Sequence, residues 1–142
     1  MALKLKVPFC RQRVSMECWY ASACMVAWYF EAGPRLGIPK TWVNNKGLSP
    51  QEFVRLAKNE HLIPVRGANS RWTAASLEHL LLTKGPIWCA GFWYGLPHVV
   101  VPTGVDDSTV FLNDPDGAQG TIDWFNYKLA KNIPECMMRH ER

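Results

Sequence analysis

The stretch from Ser15 to Phe30 constrains the fold more than any other part of the chain. After Glu17 it carries no charge for thirteen residues, and no Pro or Gly interrupts it. Its alanines favour a helix, and apolar side chains on every face indicate a helix that protein surrounds. The stretch is shorter than the roughly 20 residues that cross a bilayer. We therefore predict a buried central helix with Ser15 as its N-cap.

Cys18 lies in the first turn of this predicted helix. A helix N-terminus carries partial positive charge and unpaired N–H groups, which lower the pKa of a thiol there, and the thiolate is the nucleophilic form. A free cysteine is more often a small buried residue, and we interpret Cys24, in the middle of the helix, in that way. The position of Cys18 favours a catalytic role.

The 142 residues are 48% hydrophobic and 20% charged, which is typical of one soluble globular domain. The net charge of +4 is spread along the chain, so we expect a solvated surface that does not bind nucleic acid. The five cysteines lack the spacing of zinc sites, and we expect no metal and no cofactor. Neither a secretory signal nor a membrane span is visible. We expect a monomer that is made in the cytoplasm and does not bind membranes.

The chain divides into three parts by the pattern of helix-forming and strand-forming residues in its sequence. Residues 1–14 alternate early and then meet Pro8, which indicates an extended arm. Residues 15–85 form a predicted helical half that includes a loop through Pro64. Residues 86–142 form a predicted antiparallel sheet half with a terminal helix. Helices followed by strands predict a single α+β domain with two facing halves.

Caps, turns and periodicity predict the individual elements. After the central helix we predict helices from Ser49 to near His61 and from Thr73 to Thr83. The later elements are strands over 87–94, 98–105 and 109–113, a short strand near Thr121, and a helix over 124–131.

Nucleophilic catalysis by cysteine also requires a base, a group that orients the base, and donors for the oxyanion. His98 begins a β-rich run directly after a turn, where rigid backbone can fix its ring. His61, His79 and His140 fall in predicted helix-end, helix-face and tail positions. His98 is therefore the candidate base.

Asp114 ends the next predicted strand, and an antiparallel hairpin would return it to the edge that carries His98. Its carboxylate would then hold the second ring N–H of the histidine. Asn113 is a rival, because an amide also orients histidine in cysteine proteases. Adjacent strand residues face opposite ways, so only one of the two reaches His98. Gln12 offers an amide donor for the oxyanion, although a lone Gln carries little information.

Taken in order, these residues resemble the papain-like cysteine peptidase clan. Gln12, followed six positions later by Cys18-Trp19-Tyr20-Ala21, is similar to the clan's oxyanion glutamine and nucleophile. Three later segments resemble the C39-like peptidases and the AvrRpt2-like bacterial effectors. They are His98-Val99-Val100-Val101, Thr103-Gly104-Val105 and Asn113-Asp114-Pro115. The resemblance spans residues 7–122.

The resemblance implies a papain-like fold and a role for each of four residues. Gln12 and the backbone N–H of Cys18 would form the oxyanion hole, with Cys18 as nucleophile and His98 as base. Asp114, and not Asn113, would orient the base. The chain lacks the Cys-Gly-Ser-Cys-Trp signature of larger papains and has a shorter segment between Cys18 and His98. These departures leave substrate preference open.

The implied activity is hydrolysis of peptide bonds in a target protein, with the double-glycine preference of C39-like relatives. Because the chain has no transporter helices or ATP-binding motif, the resemblance favours a bacterial effector or toxin. A signal-independent secretion system would deliver it into the cytoplasm of another cell, and an immunity protein would protect the producer. Trp19, Trp93 and Pro97 are candidates for lining the substrate groove, although Trp93 also suits core packing.

Two alternatives keep the same fold. A peptidoglycan stem-peptide amidase would use the same catalytic residues on another substrate. A non-catalytic binding module would use none of them.

Overall fold

The computed structural model describes residues 2–7, 18–30, 52, 57, 61–93, 98–113 and 119–141. Within these ranges lie three helices: α1 (Cys18–Phe30), α2 (Ala74–Lys84) and α3 (Ile122–Lys128). The same ranges contain seven strands: β1 (Ala2–Lys4), β2 (Leu62–Pro64), β3 (Ile87–Gly91), β4 (His98–Asp106), β5 (Thr109–Asn113), β6 (Gln119–Thr121) and β7 (Met137–His140). Glu52 and Ala57 are also helical, at positions inside the second predicted helix.

The strands form one antiparallel sheet in the order β2-β7-β3-β4-β5-β6, and β1 pairs with β4. The first residues of β4 pair with β3, and its later residues pair with β1 and β5. The register of β4 shifts between Pro102 and Gly104, where this change of partners occurs. The predicted meander and the α+β class are confirmed.

Helices cover both faces of the sheet. Under α1 lies one core cluster, which includes Trp19, Ala23, Val26, Trp88, Val99, Val101 and Met138. Under α2 and α3 lies another, which includes Leu77, Leu81, Phe125, Cys89, Val100 and Met137. Since successive side chains of a strand point to opposite faces, β3 must be apolar at every position. Its sequence, IWCAG, meets that requirement, and all five residues are buried.

The helix predicted after Thr73 is confirmed, and local signals explain both of its ends. The Thr73 hydroxyl accepts a hydrogen bond from the Ser76 backbone N–H at 3.0 Å, and the Ser76 hydroxyl accepts one from the Thr73 N–H at 2.9 Å. This reciprocal capping satisfies two N–H groups that a helix start leaves unpaired. Gly85 ends α2 with a φ of 84°, which favours glycine.

The prediction of a tail at His140 is wrong. The C-terminal strand β7 lies inside the sheet between β2 and β3, and His140 is 2% exposed. Its ring stacks on Phe30 with centroids 4.9 Å apart. This segment forms a strand because it is buried and paired between β2 and β3, which are distant from it in sequence. The strand propensity of its own residues is weak evidence for a strand.

Two further expectations need correction. The loop predicted through Pro64 contains β2, so the sheet includes strands from before residue 86. The chain therefore does not divide at residue 86 into a purely helical half and a half that holds the whole sheet. The last helix begins earlier than predicted, because the Thr121 hydroxyl caps it by accepting from the Trp124 N–H at 3.0 Å. It ends at Lys128, since Leu129 takes an extended backbone conformation. Among the described residues, every helix is too short or too polar to cross a membrane.

Candidate active site

The direction of α1 decides which edge of the sheet its first turn occupies. The hydroxyl of Ser22 donates to the backbone oxygen of Val99 at 3.2 Å, in a buried position. At the other end of α1, Phe30 packs against Gly85 and His140, which lie where β3 begins and β7 ends. The helix therefore runs from the edge at which β3 ends and β4 begins. This edge is the end of the sheet at which β3 ends at Gly91 and β4 begins at His98, not an outer strand. We call it the His98 edge.

Cys18 is the first described residue of α1, one helical turn before Ser22. A turn advances about 5–6 Å along the axis, so the backbone of Cys18 lies at the His98 edge. The indole N–H of Trp88 donates to the backbone oxygen of Trp19 at 3.0 Å and fixes the same turn on β3. The side chains of Cys18 and Cys24 are outside what the structure describes, and their assignment to cleft and core remains a prediction.

His98 is half-buried and is the first residue of β4. It pairs with Gly91, the last residue of β3. A Cβ atom at Gly91 would lie 2.6 Å from the backbone oxygen of Lys128 and 2.8 Å from the Trp93 ring. Glycine is thus required for the close packing that holds the backbone opposite His98 in place.

The strand β5 ends at the His98 edge, as the predicted hairpin requires. Asn113 pairs with Val101, in antiparallel register. The side-chain N–H of Asn113 donates to the backbone oxygen of Val7 at 3.3 Å. Asp114 follows directly in the sequence and lies outside the described residues.

The N-terminal arm approaches the same edge. Its strand β1 pairs antiparallel with the far end of β4, with Ala2 opposite Asp106. The Leu5 N–H then donates to the Thr103 oxygen at 2.7 Å, and Val7 meets Asn113. The arm thus runs from the far edge of the sheet toward the His98 edge. Gln12, five residues beyond Val7, lies outside the described residues.

The groove predicted from aromatic residues needs correction. Trp19 and Trp93 are each 1% exposed, so neither offers surface to a substrate. The indole N–H of Trp93 donates to the Cys89 oxygen at 3.2 Å, and its ring stacks on Phe125 with centroids 5.4 Å apart. Pro97 lies outside the described residues. Phe92, beside Trp93 at the end of β3, is 50% exposed, so among the described residues at this edge it is an aromatic side chain that a ligand can reach.

Two other cysteines are poor nucleophiles. Cys89 and Cys136 are free and fully buried in one core cluster. Burial raises the pKa of Cys89 well above its usual value, with a smaller contribution from Cys136. Burial likewise raises the pKa of Cys136 to about 11. Because the thiolate is the reactive form, neither thiol competes with a cysteine at a helix N-terminus.

Sequence reasoning missed Ser22, which ties α1 to the strand that carries His98. It considered Asn113 only as a rival to Asp114 and missed its bond to the arm. The bonds join residues 77 and 106 positions apart, so no local pattern marks them. In the described part of the chain, no three His, Cys, Asp or Glu side chains come together as a metal site.

Comparison with known proteins agrees with the overall fold. The chain is similar in fold to a double glycine motif protease from an AMS/PCAT transporter, solved in complex with the leader peptide, with a TM-score of 0.56. The match covers 96% of this chain and 91% of that chain at 19% sequence identity, a level that shows the fold alone. Residues 1–130 match the family of the papain-like cysteine protease AvrRpt2. The chain belongs to this family of papain-like cysteine proteases.

Proposed function

We propose that the protein hydrolyses peptide bonds by covalent catalysis at the His98 edge. The Cys18 thiolate attacks the carbonyl carbon of the substrate, and the Gln12 amide and the Cys18 backbone N–H stabilise the oxyanion. His98, oriented by Asp114, protonates the leaving amine as the thioester forms. Water then attacks the thioester while His98 accepts its proton, and the acid product and the thiolate are released.

The hydrogen bond from Ser22 to the Val99 oxygen carries this proposal. Residues four apart lie on one face of a helix, so the face of Ser22 that meets Val99 also carries Cys18, one turn nearer the helix start. His98 immediately precedes Val99. The bond therefore brings the start of α1 to the start of β4, as a thiolate–imidazole pair requires.

Strand alternation determines where the thiol and the ring would meet. Val99 and Val101 pack under α1, whereas Val100 packs in the opposite cluster. His98 shares the parity of Val100, so we propose that its ring meets the thiol beyond the end of the sheet and not beneath α1. The half-burial of His98, at the first position of β4, supports that location.

The observed register favours Asp114 over Asn113 as the orienting group. Since Asn113 pairs with Val101, the next residue of the chain would continue opposite Val100. It would then share the face of His98 and lie diagonal to it, within reach of a long side chain. Asn113 falls on the other face, and its amide is already bonded to Val7.

The substrate is proposed to be a protein segment with small residues at the cut. The structurally similar protein is a double glycine motif protease that was solved in complex with the leader peptide, which supports a peptide substrate and a narrow site. The resemblance to bacterial effectors supports delivery into another cell, action in its cytoplasm, and a cognate immunity protein in the producer. Phe92 is available to contact the substrate beside the catalytic centre.

A survey of protein N-termini in cells that express the wild type or Cys18→Ala tests this function. New termini found only with the wild type are expected, and they would give the substrate and the cleavage motif. His98→Ala should abolish the new termini, whereas His79→Ala, at an exposed histidine of α2, should not. If Cys18→Ala retained full activity, covalent catalysis by this thiol would be excluded. Muropeptide release from purified sacculi without protein cleavage would instead identify an amidase.

A further inference from the structure

We propose that Asn113 is a positioning residue whose side chain holds the N-terminal arm so that Gln12 is presented to the oxyanion. This inference rests on the proposed function. It adds a residue that acts through Gln12 and touches no reacting atom.

The hydrogen bond of Asn113 joins two described segments, each of which precedes a proposed catalytic residue in the sequence. Its side-chain N–H donates to the Val7 oxygen at 3.3 Å, across 106 positions of sequence. Val7 is the last described residue of the arm before Gln12, and Asn113 is the last residue of β5 before Asp114. One amide thus fixes the arm relative to the strand that leads to the orienting carboxylate.

The rest of the arm is held farther from the centre. Leu3 and Lys4 lie so close to Gly104 that a Cβ atom there would overlap the Leu3 backbone oxygen and approach Lys4 Cα to 2.9 Å. The Leu5 N–H binds the Thr103 oxygen at 2.7 Å. These contacts hold β1 on β4, and the bond to Asn113 is the final described contact before the chain departs toward Gln12.

The reach of the chain shows why this last contact matters. Gln12 lies five positions after Val7, and an extended chain spans up to about 17 Å over that length. Losing the bond lengthens the unanchored segment by only two residues, back to Leu5, so the entropy of the segment changes little. The bond instead sets the point and direction from which the arm reaches the oxyanion, and that is a matter of geometry.

The test measures kcat and KM for Asn113→Ala, Gln12→Ala and the double variant on a peptide from the cleavage site mapped by the N-terminus survey. Loss of one oxyanion donor costs about 100-fold or more in kcat. We expect Asn113→Ala alone to lower kcat about 10-fold with KM within about 2-fold, and to have no further effect when Gln12 is already Ala. Thr109→Ala, at the far end of β5, is the matched control and should leave kcat unchanged.

Hydrogen exchange supplies a readout that is independent of activity. In Asn113→Ala, amides of residues 5–7 should exchange faster while those of β3 and β4 keep their protection. Gly104→Ala, which displaces β1 by steric overlap, should reproduce both the kcat loss and its absence in the Gln12→Ala background. Because Gly104 lies in β4, this second variant displaces the arm and leaves the side chains of β5 unchanged.

Multiplicative losses in the double variant would overturn the proposal, since Asn113 would then act independently of Gln12. Unchanged kcat in Asn113→Ala would also overturn it, and unchanged kcat in Gln12→Ala would overturn both this proposal and the role of Gln12 in the proposed function. Failure of covalent catalysis by Cys18 is a separate outcome. In that case Cys18→Ala would remain active, whatever Asn113 does.

Discussion

Replacing Ser22 by Ala removes the hydrogen bond that ties the first turns of α1 to β4. The Ser22 hydroxyl is 3.2 Å from the Val99 oxygen, and the residue is 2% exposed. The Ala90 N–H, across from Val99, bonds to the Cys136 oxygen at 2.8 Å. The Val99 oxygen therefore points away from β3, and Ser22 is its donor from α1.

The expected loss follows from this burial. A buried carbonyl that loses its donor costs about 1–3 kcal/mol, so we expect Ser22→Ala to lower the free energy of unfolding by about 1–2 kcal/mol. For a chain of this length, that corresponds to a fall of roughly 3–6 °C in Tm. Because a shift of about 1 Å in a reacting group can cost up to 100-fold in rate, we also expect kcat to fall about 10-fold.

Urea denaturation and cleavage of the mapped peptide measure the two effects on the same preparations. Ser108→Ala is the control, because Ser108 is an exposed turn residue far from the His98 edge. A third measurement is the rate of Cys18 alkylation by iodoacetamide as a function of pH, which reports on the thiolate–imidazole pair. We expect the apparent pKa of Cys18 to rise in Ser22→Ala, since the thiol moves away from His98⁺.

The reasoning is refuted if Ser22→Ala is as stable as Ser108→Ala and keeps both kcat and the alkylation profile. The start of α1 would then be held at β4 by packing alone. Loss of stability with unchanged kcat would also count against it, because the bond would stabilise the fold without placing Cys18.

Three further outcomes are expected. Since burial raises the pKa of Cys136 to about 11, the unfolded thiol ionises at lower pH than the folded one, and Cys136 should lower stability by up to about 2–3 kcal/mol as pH rises from about 9 to 11. Burial raises the pKa of Cys89 as well, so urea melts of Cys136→Ala should show a smaller loss than the wild type, and an equal loss in both proteins would contradict the assignment. Thr73→Ala should lower stability by about 1 kcal/mol through loss of the cap with kcat unchanged, and a large drop in kcat would link α2 to the site unexpectedly. Gly91→Ala should lower the free energy of unfolding by about 2 kcal/mol or more, because its Cβ would lie 2.6 Å from the Lys128 oxygen; an unchanged urea melt would show that the contact relaxes freely.

The predictable parts of the fold are those whose signals lie within a few residues. Thr73 and Gly85 bracket α2 in the sequence as they do in the structure. The strand β7 has no such signal. It exists because β2 and β3 lie on either side of it, and neither neighbour is near it in the chain.

The candidate site divides in the same way. The position of Cys18 near a helix start and of His98 at a strand start followed from local pattern. The strand β4 begins at His98 as predicted, whereas α1 is described from Cys18 onward and its predicted cap, Ser15, lies outside the described residues. Trp93 could not be assigned correctly, because an aromatic residue after a strand is equally compatible with a groove and a core. The contacts of Ser22 and Asn113 could not be predicted, since each side chain donates to a backbone oxygen that any residue could supply.

The position of β7 inside the sheet, between β2 and β3, has a consequence for how the protein is made. Ribosomes deliver the chain from its N-terminus, so β3 and β4 emerge long before the strand that completes the other side of β3. Until Met137–His140 is synthesised, the β3 edge stays unpaired and Leu62–Pro64 has no strand to join. Nascent chains therefore cannot complete the sheet behind the His98 edge, and an active protease is expected only after β7 has left the ribosome.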